Sequence, residues 1–159
     1  MKPSSPLVSR RSTLGLLACT GLAHVLPTQA AGRPKVVVSR DPNCGCCGAW
    51  ADHLRRAGFP VEIVESANVN AVKQRLGVPA DLASCHTAEV QGYVIEGHVP
   101  ASAILRLLEE RPVGVGLAVP GMPIGSPGME GGASETYDVV FFSRQGRRTF
   151  ARYKGDRLV

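Results

Sequence analysis

Three cysteines within four positions, Cys44, Cys46 and Cys47, constrain this chain more than any other feature of its sequence. They follow the β-branched run 35–39, which predicts a strand, and they precede the stretch 49–58, which predicts a helix ended by glycine. The cysteines are therefore expected on a strand-to-helix turn, at or near a helix N-terminus. The positive end of the helix dipole favours thiolate over thiol there, and thiolate is both a nucleophile and a soft metal ligand.

The spacing of the cysteines allows more than one chemistry. Cys44 and Cys47 stand in a C-x-x-C relation, which beside a strand and a helix is typical of a thioredoxin-like redox pair. The inner Cys46 disfavours clean disulfide exchange because it could trap the exchange disulfide. Three clustered thiolates suit a thiophilic ion such as Cu(I) better. A structural disulfide between Cys44 and Cys47, with Cys46 as a small buried residue, is a further alternative.

Residues 1–30 predict an export signal of the twin-arginine type. Arg10 and Arg11 precede a short apolar run, and the small residues at 28–30 suit a signal peptidase. The apolar run is too short and too rich in glycine to span a membrane, so we expect no membrane span in the mature chain. Export to the periplasm, an oxidising compartment, favours thiols that end as disulfides or as metal ligands. The cysteines that remain after cleavage are Cys44, Cys46, Cys47 and Cys85.

The charge of the chain gives no support to a nucleic-acid partner. The formal net charge of +5 becomes smaller in the mature chain, because Lys2, Arg10 and Arg11 leave with the signal and no acidic residue does. The mature chain, residues 31–159, has the size of one ordinary domain with a single core.

The order of predicted elements in this domain is βαβα followed by ββα, which is that of an α/β, thioredoxin-like domain. Asn68 predicts the N-cap of the second helix, and Pro100 opens the third. A right-handed crossover is expected to place the first two strands side by side and parallel. The predicted elements are strand 35–39, helix 49–58, strand 61–65, helix 69–76, strands 88–91 and 93–96, and helix 101–110.

The stretch 113–132 is so rich in glycine and proline that it predicts a long irregular loop without helix or strand. It holds both methionines of the mature chain, Met122 and Met129. We expect residues 114–130 to fold over the cysteine turn as a lid and to bring at least one thioether, a soft and uncharged donor, towards the thiolates. Residues 137–143 and 148–153 predict a C-terminal β-hairpin, followed by a frayed tail at 154–159.

Cys85 and His86 are further candidate ligands. In a thioredoxin-like domain the segment before the third strand packs against the C-x-x-C turn and carries a proline, which these two residues replace here. The alternatives are a buried inert thiol for Cys85 and a local hydrogen bond or an exposed position for His86. His53 is expected on a helix surface. His98 is interpreted as a surface or capping histidine, with a role as a metal ligand as the less favoured alternative.

Five sequence blocks stand out along nearly the whole mature chain. In order, they are NCGCC at 43–47, SCHTA at 84–88, GYVIEGHVP at 92–100, GLAVPGMP at 116–123 and GSPGME at 125–130. Together these blocks resemble a known family, the small periplasmic copper-resistance proteins of the CopG type, long catalogued as a domain of unknown function. The resemblance implies a thioredoxin-like fold and copper handling, with several Cu(I) ions bridged by thiolates.

The leading hypothesis is a periplasmic protein that contributes to copper resistance by sequestering Cu(I) or by passing it to other copper-handling proteins, with redox cycling of copper as an extension. One alternative is a thiol-disulfide oxidoreductase in which Cys44 attacks and Cys47 resolves. Others are a module that binds a partner protein through the glycine-rich loop, and a zinc site, which crowded vicinal thiols fit poorly. Whether the protein is an enzyme stays open. The predicted metal ligands are Cys44, Cys46, Cys47, Cys85, His86, Met122 and Met129.

Overall fold

A computed structural model describes residues 32–159, so the predicted export signal at 1–30 lies outside the described residues. Residues 32–159 form one compact unit. Its elements in chain order are β1 (Val36–Arg40), α1 (Gly45–Arg56), β2 (Val61–Glu65), α2 (Val69–Arg75), a 3-10 turn (Ala80–Leu82), β3 (His86–Val90), β4 (Tyr93–Gly97), α3 (Ala101–Glu110), β5 (Gly116–Val119), β6 (Thr136–Ser143), β7 (Gly146–Lys154) and β8 (Arg157–Leu158).

All strands belong to one mixed sheet with the order β2-β1-β3-β4-β5-β6-β7-β8. The prediction that the first two strands are parallel neighbours is confirmed. β4 and β5 are also parallel, and the remaining neighbours are antiparallel, including the predicted C-terminal hairpin of β6 and β7. The protein is therefore an α/β protein whose sheet is wider than predicted, because β5 and β8 add to it.

Two of these strands correct the sequence predictions. The prediction of no strand within 113–132 is wrong for β5, whose residues are all buried between β4 and β6. A Cβ on Gly116 would lie 1.7 Å from the Val94 carbonyl oxygen of β4, so only glycine fits this close approach. The prediction of a frayed tail is also wrong, because Arg157 and Leu158 pair with β7.

The helices follow their sequence signals closely, with one shift. α2 begins after Asn68, whose side-chain oxygen accepts the Ala71 N–H at 3.0 Å as an N-cap. α3 covers the predicted range. α1 begins at Gly45 rather than at 49, with Cys44 at the N-cap position, so the cysteine triplet occupies its first turn.

The core fixes α1 and α3 on the sheet. Trp50 and Leu54 of α1 and Ile104 and Leu107 of α3 are fully buried in one cluster with side chains of the central strands. Burying each side chain contributes on the order of 1.5–3 kcal/mol. The Trp50 indole N–H also donates to the Val99 carbonyl oxygen at 2.9 Å, which ties the cysteine-bearing helix to the segment after β4. Within residues 32–159, no helix has the length and apolar character needed to cross a membrane.

Candidate metal centre

Four cysteine sulfur atoms converge where the first turn of α1 meets the start of β3. The sulfurs of Cys44, Cys46, Cys47 and Cys85 all lie within 4.8 Å of one another. Cys46 Sγ is 3.6 Å from Cys44 Sγ and 3.8 Å from Cys85 Sγ. This confirms the prediction that Cys85 lies within reach of the triplet. The reason is the pairing of β3 with β1, which brings residue 85 beside the turn that follows β1.

Cys44 and Cys47 are joined by a disulfide, whereas Cys46 and Cys85 are free thiols. The bridge joins the two cysteines that disulfide exchange would use. A disulfide sulfur is not a thiolate, so Cys44 and Cys47 become metal ligands only after the bridge takes up two electrons. The number of thiolates that the centre offers to a metal therefore depends on its oxidation state.

Two buried histidines extend the centre beyond the sulfur atoms. Cys85 Sγ lies 3.2 Å from His86 Nδ1 and 3.1 Å from His98 Nε2. The Pro127 carbonyl oxygen, an acceptor only, lies 2.8 Å from His98 Nδ1, so Nδ1 carries the proton and donates to it. Nε2 then presents its lone pair to Cys85. A backbone carbonyl that fixes the tautomer in this way is typical of metal-binding histidines.

The donor set fits a soft metal ion. Sulfur and imidazole nitrogen suit Cu(I) or Zn²⁺, whereas Mg²⁺ and Ca²⁺ require oxygen ligands. His86 Nε2 is buried and has no hydrogen-bond partner among the described residues, and an unsatisfied buried polar atom costs about 1–3 kcal/mol. A proton on Nε2 leaves Nδ1 as a lone-pair donor that faces Cys85. The arrangement therefore tolerates an unsatisfied atom on the far side of the ring while a donor atom faces the thiols.

Burial lowers the pKa of both histidines. For His86 desolvation is the main cause, and the neighbouring His98 and Lys73 charges lower the pKa further. The nearby Gly97 backbone raises the pKa of His86 by a smaller amount, although Nε2 itself has no hydrogen bond of ordinary geometry. For His98 desolvation outweighs the raising effect of the Pro127 carbonyl. Both rings are therefore neutral at pH 7, which is the state in which imidazole binds metal.

Burial raises the pKa of the Cys85 thiol, whereas it lowers the pKa of the two histidines, because burial disfavours the charged form of each group. Desolvation, helped by the neighbouring Cys46, raises the pKa of Cys85 to about 12. Without a cation Cys85 is therefore a neutral thiol at pH 7. A bound metal ion reverses this preference because it stabilises the thiolate directly, so metal binding releases the Cys85 proton.

Acidification is expected to destabilise the metal-free protein. His86 and His98 have folded-state pKa values below the unfolded value of about 6.5, so their contribution is complete above that pH and is lost as pH falls towards the folded-state values. The free energy of unfolding should therefore be lower at pH 5.5 than at pH 7.5. Urea denaturation measures it. The variant His98→Gln should show a weaker dependence than the wild type, and equal wild-type stability at both pH values would contradict the expectation.

The loop 120–135 packs over the centre at three points. Ser84 Oγ donates to the Gly121 carbonyl at 2.6 Å, and His98 donates to Pro127 as described. A Cβ on Gly128 would lie 2.8 Å from both the Cys46 carbonyl oxygen and the Trp50 nitrogen, so glycine is needed for the loop to lie on α1. These contacts agree with the predicted lid, which begins after β5 rather than at residue 114.

The two methionines of the loop follow its anchor points. Met122 comes directly after Gly121 and is 51% exposed, and Met129 comes directly after Gly128 and is partly buried. Both are thus attached to backbone that contacts the centre. Their participation as metal ligands stays a prediction.

His98 and His53 correct the prediction of surface positions. His98 is fully buried beside Cys85. The β3–β4 register pairs Thr87 with Glu96, and two further residues along each strand place Cys85 opposite His98. The short turn at Gln91 and Gly92 fixes this register, so the sequence already contained the information that places His98 opposite Cys85. His53 is partly buried because its Nε2 accepts the Ala101 N–H at 3.1 Å and caps α3.

A buried ion pair supports the segment that carries Cys85. Glu96 Oε1 accepts from Lys73 Nζ at 2.5 Å and from the Ser84 N–H at 2.6 Å. The side chains of Lys73 and Glu96 are only 5% and 0% exposed. Desolvation raises the pKa of Glu96, and Lys73 opposes this shift. Because Ser84 directly precedes Cys85, the pair helps to fix the position of the thiol.

Comparisons with known proteins agree with this site. A family described as a protein of unknown function, DUF411, matches residues 82–129, which carry Cys85, both buried histidines and both methionines. Among curated proteins none matches the chain. The solved structure "Copper resistance protein copG- Form 2" is 50% identical with a TM-score of 0.72, covering 76% of this chain and 98% of that one. Form 1 is 50% identical with a TM-score of 0.72, covering 77% and 99%. The chain therefore belongs to the CopG-type family of copper-resistance proteins.

Proposed function

We propose that the protein binds Cu(I) in the periplasm, where it sequesters the ion or passes it to other copper-handling proteins and so contributes to copper resistance. One observation carries this proposal: four sulfurs and two buried imidazoles lie close together, with the shared Cys85 in both groups. The likeness to solved copper-resistance proteins supports it. The predicted twin-arginine signal supports the periplasmic location.

The shared position of Cys85 supports a centre with more than one copper ion. Cys85 belongs to the group of four cysteines and also to a second group with His86 and His98. A thiolate can bridge two soft ions, so an ion among the sulfurs and an ion at the histidines can both use Cys85. We add His98 to the predicted ligands for this reason.

Zinc is the metal against which copper has to be tested. The sulfur separations of 3.6 and 3.8 Å suit bonds of about 2.3 Å to a single tetrahedral ion. A zinc site needs four donors, however, and once the Cys44–Cys47 bridge is reduced this centre offers six, four thiols and two imidazoles. Surplus soft donors around a shared thiolate favour Cu(I), which accepts low coordination numbers.

The disulfide supports redox cycling as part of this function. Two Cu(II) ions can each take one electron from the Cys44 and Cys47 thiolates, which yields two Cu(I) ions and the bridge, and two electrons from a reductant reopen the bridge. The sulfur ligands and the oxidation state of the copper are then linked through the same two cysteines. The part of the sheet formed by β2, β1, β3 and β4, with α1 to α3, is proposed to be the thioredoxin-like unit that holds them.

Metal analysis of protein purified anaerobically from the periplasm tests the copper proposal. We expect more than one copper per chain after growth in copper, with zinc displaced. The variant Cys46→Ser should hold less copper while its circular dichroism spectrum stays that of the wild type, because Cys46 is partly exposed and lies outside the hydrophobic core. A protein that carries zinc and no copper after growth in copper would overturn the proposal.

Thiol-disulfide exchange is the second candidate, and the Cys44–Cys47 bridge is the observation that favours it. Under this alternative, Cys46→Ser should keep or improve the reduction of a model disulfide such as insulin, since the interfering thiol is gone. Under the copper proposal the same variant should lose copper tolerance in cells. Strong insulin reduction by the wild type together with unchanged tolerance in the variant would establish the alternative instead.

A further inference from the structure

The glycine-rich loop closes one side of the metal centre. Its anchors to Ser84, His98 and α1 hold residues 121–128 against the cysteine turn. The loop is also held internally, because the Gly125 N–H donates to Met129 O at 2.8 Å and the Met129 N–H donates to Ser126 O at 2.8 Å. Opening this side would break several of these contacts together.

Another side of the centre faces a polar cleft of about 220 Å³ between the β1–α1 turn and the start of α2. Among the cysteines of residues 32–159, Cys85 alone lines it. On the cleft walls, the side chains of Asp41 and Asn70 carry oxygen groups that can hydrogen-bond to a passing polar molecule. The polar lining residues are Asp41, Asn68, Asn70, Lys73 and Ser84.

We propose that copper reaches and leaves the centre through this cleft, with Cys85 as the first and last protein ligand, and that it arrives as a Cu(I) complex of a small thiol. The inference rests on the copper function proposed above. Cys85 suits this position because it belongs to both ligand groups, so an ion bound to it can pass to the other cysteines or to the histidines without crossing the loop.

The transfer step is a ligand exchange without a change of oxidation state. A bond forms between copper and Cys85 Sγ, and the bond between copper and the sulfur of the donor breaks. The Cys85 proton passes to the departing thiolate, which leaves as a neutral thiol. The cleft therefore has to admit the donor molecule as well as the ion, which explains an opening lined by polar groups rather than a narrow apolar channel.

Thiol alkylation of the metal-free protein tests the cleft without any use of copper. Asn70 is exposed at the start of α2 and lines the cleft, so Asn70→Trp should narrow it and leave the fold intact. With N-ethylmaleimide, alkylation of Cys85 in the disulfide-containing protein should become about tenfold slower, because reaction at a thiol depends on access. Alkylation of Cys46 in the same sample, quantified by mass spectrometry, should change less than about twofold.

Two matched variants control for the new indole. Gln74→Trp places the same side chain one turn further along α2, outside the cleft lining, and should leave Cys85 alkylation unchanged. Ala67→Phe narrows the cleft from another wall and should repeat the effect of Asn70→Trp. Equal alkylation of Cys85 in wild type, Asn70→Trp and Ala67→Phe would overturn the proposal.

Copper uptake from the Cu(I)–glutathione complex provides the second measurement. In stopped-flow mixing, Asn70→Trp should take up copper about tenfold more slowly than the wild type while reaching the same final copper content, since the ligands are unchanged. Asn43→Trp, which obstructs the side next to Cys44, should keep the wild-type rate. A slower rate in Asn43→Trp with a normal rate in Asn70→Trp would overturn the assignment of the cleft. A wild type that takes up no copper would instead reject the proposed function, and the alkylation result would still decide whether the cleft leads to Cys85.

Discussion

Cys85→Ser is expected to weaken Cu(I) binding by at least about 100-fold, since the loss of a supporting outer contact alone costs 10–100-fold at metal sites. Cys85 is shared by the sulfur group and the histidine group, so its removal deprives both. Serine replaces a soft thiolate by a hard hydroxyl, which is a poor ligand for Cu(I). Competition with a Cu(I) chelator such as bicinchoninate, on anaerobic reduced protein, measures the affinity.

Cys46→Ser is the matched control for this prediction. Cys46 belongs to the sulfur group only, so its loss should reduce copper content but leave the histidine group with Cys85 intact. Both cysteines are partly exposed, and the free energy of unfolding of either variant should stay within about 1 kcal/mol of the wild type. Wild-type affinity in Cys85→Ser, with a strong loss in Cys46→Ser, would contradict a shared role for Cys85.

The sequence was sufficient to predict α2 and α3, because local signals determine where each of them begins. Asn68 is a side-chain cap, Pro100 precedes α3, and both signals act within one helical turn. The convergence of Cys85 on the triplet was predicted from the thioredoxin-like order of elements, in which the segment before the third strand packs against the C-x-x-C turn. In the structure the antiparallel pairing of β3 with β1 brings Cys85 there.

β5 could not be predicted because its cause is not local. Its four residues GLAV lie among glycines and prolines, and a strand forms there because β4 and β6 pair with it on both sides. Gly116 weakens a local strand signal and yet is required by the approach of the Val94 backbone. Pairing with the neighbouring strands therefore makes residues 116–119 a strand, although the local composition indicates an irregular loop.

His98 was predictable in principle, and the error came from omitting register. The Gln91-Gly92 turn fixes the pairing of β3 with β4, and the pairing fixes which residue faces Cys85. The disulfide between Cys44 and Cys47 is different, because C-x-x-C spacing permits a bridge, a redox pair or metal ligands alike. The sequence could identify the candidate donors. Only the structure could show that Cys44 and Cys47 form a disulfide and that Cys85 belongs to both donor groups.

Lys73→Ala is expected to lower the free energy of unfolding by about 3–5 kcal/mol, because it leaves the buried Glu96 carboxylate without its charge partner. Lys35→Ala removes a comparable contact, 2.7 Å to Glu62, from a pair that is 60% and 50% exposed, and should cost less than about 1 kcal/mol. Urea denaturation at pH 7 measures both losses. A loss below about 1 kcal/mol in Lys73→Ala would show that the buried pair does not stabilise this part of the fold.

The pH dependence of the Lys73→Ala variant separates a stranded charge from a simple cavity. Desolvation raises the folded-state pKa of Glu96, and removal of Lys73 removes a group that opposed this shift. For a group with a raised folded-state pKa, stability is complete below the unfolded value and is lost as pH rises through the folded value. The Lys73→Ala variant should therefore be closer to the wild type at pH 5 than at pH 8, whereas a cavity alone costs the same at both.

The double variant Lys73→Met with Glu96→Gln should recover most of the stability at pH 8, because methionine fills the space and the glutamine oxygen still accepts the Ser84 N–H. Cys85 then keeps its position, so copper content in the double variant should match the wild type even though the ion pair is gone.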